Sequence, residues 1–150
     1  MPKLRCVRYT DAFSARGSSY KDLLIGVEHS VVGCNSTVFG PSTKSGDYVI
    51  IIANDGRRKY FMAGRLVERL YDCHLWADEG GHVWEHNFTY APLLAAPQEI
   101  TPAITTKVTE LCSAHLVNPK YLFHARFCGE RYLPVLLDLV TSITCAAPMH

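Results

Sequence analysis

The chain lacks any apolar run close to the ~20 residues that a membrane-spanning helix needs, which leaves out a membrane partner. It has no C-x-x-C pair either. Cys6, Cys34, Cys73, Cys112, Cys128 and Cys145 lie at long, irregular spacings, as buried small hydrophobes do rather than metal or redox ligands. The opening MPKLRCVRYT has no apolar leader core, and a domain of this size has no need of disulfide staples. The expectation is a soluble, intracellular protein of a reducing compartment, cytoplasmic or nuclear. Net charge is only +1, so no global affinity for polyanions follows, and no internal repeat or low-complexity tract appears. At 150 residues and 48% hydrophobic content, residues 1–150 read as one domain with a proper core.

What is present is uneven. Residues 1–69 hold 11 Lys/Arg against 6 Asp/Glu, whereas residues 70–150 hold 4 against 8, so positive charge gathers in the N-terminal half. Within it, SGDYVIIIANDGRRKYFMAGRLVER (45–69) predicts a β-hairpin: Tyr48 to Ala53 run in, Asp55-Gly56 supplies positive-φ turn residues, and Tyr60 to Val67 return. The first strand is apolar on both faces and should be central. On the second, Arg57, Lys59, Arg65 and Arg69 share odd positions, hence one face if the strand is regular. That row is either a basic floor for nucleic acid or a solvated outer face.

Elsewhere, residues 4–9 alternate as a strand. Residues 11–21 read as loop, and Asp22 to Val27 as a strand or a helical turn. Residues 29–44 read as a loop with room for a short helix, and residues 71–81 as a connection. Strands are expected over 82–94 and 121–128. Thr101-Pro102 and Pro134 open two helices. The sum is an α+β fold, a small barrel of five or six strands with peripheral helices.

Three constellations could carry chemistry. On a strand, His82, Trp84, His86, Phe88 and Tyr90 would share a face, either as a base-stacking surface or as the barrel interior; the interior suits Phe88 and Tyr90. Trp76, in a polar connection, and Trp84 are the better ring candidates for a site. His82-Val83-Trp84-Glu85-His86 also matches H-x-x-E-H, the signature of a zinc hydrolase, with Cys73 and His74 nearby. That motif grips zinc only on a helix; on a strand its histidines stand roughly 13 Å apart. Cys34, with His29 near in sequence, could be a nucleophile, but nothing marks a partnered base or an oxyanion site.

The order of these segments resembles the PUA-like superfamily, particularly its EVE and YTH branches. The landmarks are the loop VVGCNSTVFGPSTKSGD leading through Gly46-Asp47 into YVIIIAN, the return FMAGRLVER, the Trp76 connection, the strand HVWEHNFTYAPLL, the exit Ala96-Pro97-Gln98-Glu99, and a closing strand and helix. The resemblance implies a non-enzymatic, cofactor-free module that holds a flipped, modified base of DNA or RNA in an aromatic pocket. Some such domains serve as readers in modification-dependent restriction systems. By that resemblance Cys34, Asn35 and Ser36 would contact the base edge and Trp76 would wall the pocket, with Trp84 beside it. Arg57, Lys59 and Arg65 would hold phosphates. The first loop carries Val31, Val32 and Cys34 where YTH readers carry tryptophan, which points away from N6-methyladenine in RNA and toward a modified cytosine or methylated adenine in DNA. Two other classes stay open: a zinc-dependent hydrolase on His82, Glu85 and His86, and a protein–protein interaction domain anchored by the aromatics.

Overall fold

A computed structural model describes residues 2–10, 18–34, 37–78, 83–121, 123–124 and 127–146. The described residues form a six-stranded mixed sheet with four α-helices. In order come β1 (Leu4–Arg8), α1 (Ser19–His29), β2 (Val31–Cys34), β3 (Tyr48–Asp55), β4 (Arg58–Leu70), α2 (Leu75–Asp78), β5 (His86–Pro92), β6 (Gln98–Glu99), α3 (Pro102–Ala114) and α4 (Leu133–Ala146). The strands run β1-β3-β4-β5-β2, with β6 beside β5 on the same edge of β4; β1 and β3 are parallel and every other pair is antiparallel. Barrel closure by a β1–β2 ladder is not seen among the described residues. The two end strands are tied by one side chain, the Tyr9 hydroxyl accepting the Gly33 N–H at 3.2 Å.

The β3–β4 hairpin forms as its residues dictate, with Asp55 opposite Arg58. Its two-residue loop is Gly56-Arg57, one place later than expected, and Gly56 alone takes positive φ (62°). Glycine at the first loop position matches the right-handed twist of the flanking strands. Val49 to Ala53 are buried on both faces, so β3 is the central strand anticipated. At its start Asp47, 1% exposed, accepts from Arg5 Nε at 3.1 Å and from the backbone N–H of Lys3 and Lys44. A buried carboxylate with three donors is well compensated, and here it locks β1 to the turn before β3.

Several expectations are corrected. Residues 22–27 belong to an eleven-residue helix that starts at Ser19. The Ser18 hydroxyl, rather than capping it, donates to Asn54 O, while Ser19 Oγ accepts the Asn54 N–H at 2.8 Å. The segment read as loop contains β2, whose four residues are all buried. The strand expected from His82 begins only at His86. Among the described residues of 121–128 no strand forms; a 3₁₀ turn covers Pro119–Tyr121, and Gly129 makes an isolated bridge to Leu4. Phe123 and Phe127 instead feed a ring stack joining Phe61 of β4 to Tyr132, so these two residues are held by packing rather than by a ladder.

Candidate functional site

The basic row on β4 is broken by one extra residue. Leu66 pairs with Tyr90 and Arg69 with Phe88, while the pairing slips between Leu66 and Glu68. Tyr90 and Phe88 are two apart on β5 and so share a face; Arg69 is therefore turned to the side of Leu66, away from Arg65, which pairs with Ala91. The single-face expectation for Arg69 fails because the strand is bulged. Lys59 and Arg65 do share a face, but Phe61 and Ala63 between them are fully buried, which divides the row. Arg57, Lys59 and Arg65 are exposed and have no carboxylate partner among the described residues.

Trp76 and Trp84 lie in the core, 2% and 8% exposed. With Tyr9 they form a nest whose ring centroids stand 5.5 to 6.4 Å apart. A base held between two parallel rings needs them about 7 Å apart, twice the ~3.5 Å contact distance, so this nest is filled by its own rings. The position of Trp76 has a local cause: Gly26 of α1 lies against its ring, and its indole N–H donates to Asp22 O at 2.9 Å. Cys34 is buried at the end of β2, opposite His86. Asn35 and Ser36 lie outside the described residues, as does His82. The segment 83–86 is not helical, and His86 opens a strand, so Glu85 and His86 do not have the geometry the zinc motif requires. No group of three metal-ligating side chains occurs among the described residues.

Beside the nest, Asn87 Nδ2 donates to Trp84 O at 2.8 Å, but Asn87 Oδ1 and the Tyr90 hydroxyl are buried without a hydrogen-bond partner among the described residues. Burial pushes the Tyr90 phenol up to about 12. Tyr9, fully enclosed, is raised too by burial, against the opposing effect of the Gly33 N–H bond. Gly33 is required by space: a Cβ there would sit 2.5 Å from Asn87 Oδ1 and 2.9 Å from Trp84 Cβ.

The open site lies next door. A cleft of about 440 Å³ is lined by Phe39, Thr43, Arg69, Tyr71, Glu85 and His86, among others. The bulge delivers Arg69 to it. The guanidinium lies 4.5 Å over the Phe88 ring, donates to Gly40 O at 3.2 Å and reaches Phe39 O and His86 Nδ1 at about the hydrogen-bond limit. Tyr71, 80% exposed, stands at the rim. Of these residues, sequence reasoning named Glu85 and His86 for zinc and Arg69 for the basic row. It missed Phe39 and Tyr71, each a lone aromatic just before a polar segment.

Among the described residues no helix is long and apolar enough to cross a membrane. Comparison with protein-family models, with characterised proteins and with solved structures gave no match.

Proposed function

We propose that this chain is a nucleic-acid-binding module that takes a base in the cleft at the C-terminal end of β4. The observation that carries the reading is that β4 holds both kinds of contact such a module needs, cations on one face and the cleft-lining Arg69 on the other. Lys59 and Arg65, with Arg57 in the adjoining turn, are exposed cations without carboxylate partners among the described residues, suited to phosphates. Arg69, together with Tyr71 just beyond the strand, lines a cleft with polar and aromatic walls. Phosphate contacts give affinity without sequence information, and an exposed ring gives a stacking surface worth about 1–3 kcal/mol per base. The base-reading role passes from Trp76 and Trp84 to this cleft, with the nest as its foundation: Cys34 pairs with His86, and Trp84 directly precedes Glu85. Preference for a modified base is the finer form of the proposal. Leu70 and the Tyr71 ring supply apolar lining from which an added methyl would gain.

The test is a fluorescence-anisotropy panel of unmodified, N6-methyladenine and 5-methylcytosine oligonucleotides, single- and double-stranded, at two salt concentrations. The expected result is binding that weakens with salt. In the double variant Lys59→Glu/Arg65→Glu the log–log salt slope should fall by about 1.4 for single strands or about 1.8 for duplex, two phosphate contacts' worth. Equal affinity for all modifications removes the modified-base claim. No binding at low salt removes the module itself.

A further inference from the structure

Resting on that reading of the same cleft, we propose that the phosphates flanking the bound base are held by Lys3, Lys44 and Arg65, gathered at the turn before β3. The cations of the hairpin tip, Arg57 and Lys59, then serve only longer strands. Neither lysine carries a signal in the sequence, where each stands far from the other and from Arg65. The fold joins them through one buried carboxylate. Asp47 Oδ1 accepts the Lys3 N–H at 3.2 Å, and Asp47 Oδ2 accepts the Lys44 N–H at 3.3 Å. Arg65 arrives from β4: it pairs with Tyr48, and its guanidinium lies 5.8 Å over that ring. Its Nη2 stands 3.7 Å from where a Cβ on Gly46 would be, so the charge lies along the turn. All three residues are exposed and have no carboxylate partner among the described residues. Asp47 is 1% exposed and its charge is met by Arg5, so it does not cancel theirs.

The turn is fixed in place. The Gly46 N–H donates to Leu66 O at 2.9 Å, the Asp47 N–H to Lys44 O at 3.1 Å, and the Ser45 hydroxyl to Val67 O. It also adjoins the cleft, because Thr43, which lines the cleft, directly precedes Lys44. Lys59, by contrast, stands roughly 36 Å along β4 from the cleft-lining Leu70, at about 3.3 Å per residue. A B-form strand advances about 3.4 Å per nucleotide, so that distance is about ten nucleotides. The phosphates on either side of a base in the cleft therefore meet the turn and not the hairpin tip. Lysine suits this duty, being a point charge on a flexible stem that grips phosphate without reading sequence.

Fluorescence anisotropy of the full chain against salt tests this, with a single-stranded pentanucleotide and a strand of about twenty nucleotides. Glutamine replacements avoid setting a new carboxylate beside Asp47, and circular dichroism checks each fold. With the long strand, Lys3→Gln/Lys44→Gln should lower the log–log salt slope by about 1.4, two phosphate contacts' worth. The control Lys107→Gln/Lys120→Gln removes the same charge on and just after α3 and should leave the slope unchanged. The pentanucleotide, too short to reach the hairpin tip, should bind more weakly to Lys3→Gln/Lys44→Gln and equally well to Arg57→Gln/Lys59→Gln. An unchanged slope in Lys3→Gln/Lys44→Gln or an equal fall in the control would overturn the assignment. So would a pentanucleotide that fails to bind or that responds to Arg57→Gln/Lys59→Gln. In each of these cases salt-sensitive binding of the long strand leaves the module standing. No binding of either strand at low salt would remove both readings.

Discussion

Two aromatic groups sit side by side in this protein and differ in kind. The Tyr9–Trp76–Trp84 nest is closed: its rings touch one another, the Trp76 indole N–H has its carbonyl, and Gly33 is there because nothing larger fits. The neighbouring cleft is open, with Arg69 laid on Phe88 and Tyr71 exposed at its lip. The difference teaches that ring count does not identify a binding surface. Unfilled space beside fixed polar groups does, and here one bulged residue in β4 creates it by bringing Arg69 round to that side.

The largest expected effect breaks the comparison at the nest. Trp76→Ala should destabilise the fold by about 3–5 kcal/mol, through the cavity it leaves and the stranded Asp22 carbonyl, measured by urea denaturation. A cost below about 1 kcal/mol would mean the nest is not core. Next, Arg69→Ala should cost about 1.5–3 kcal/mol through lost charge-assisted bonds, whereas Arg65→Ala should stay within about 0.5 kcal/mol. Equal costs would deny the bulge its role.

The third concerns pH. The Tyr90 phenol titrates at about 12 in the folded chain and near 10 when unfolded. Below pH 10 both states hold the proton. Between about pH 10 and 12 the unfolded chain releases it while the folded chain keeps it. Stability should therefore fall as pH rises through that window, by up to about 1.4 kcal/mol per pH unit for this group. Tyr90→Phe should flatten that loss; an unaltered curve would place the titrating group elsewhere. The smallest effect on stability sharpens the comparison most: Tyr71→Ala should change folding by no more than about 0.5 kcal/mol yet weaken oligonucleotide binding about tenfold. Unchanged binding would take the cleft out of the proposed function.

Much of the architecture was legible where the signal is local. Asp55-Gly56 between two apolar runs marks the hairpin, Thr101-Pro102 marks α3, and Val49 to Ala53 mark a strand buried on both faces. α1 escaped because Ser18 and Ser19 look like loop residues but satisfy Asn54 in the sheet. β2 escaped because Val31–Cys34 is only four residues long and is followed in sequence by small polar residues. Residues 121–128 have strand-like composition, but Phe123 and Phe127 are placed by their stack on Phe61.

For the site, the sequence by itself determined which chemistry was available: cations gathered on the returning strand, aromatics around residues 71–90, and Glu85 next to His86. Only the tertiary structure decided which of these face water. Side-chain direction along a strand follows a two-residue period, so a single bulge reverses it for every residue beyond, and no composition records that reversal. In the same way, whether a tryptophan walls a pocket or fills a core depends on which distant segments arrive beside it. For Trp76 those are α1 and the end of β1, more than forty residues earlier in the chain.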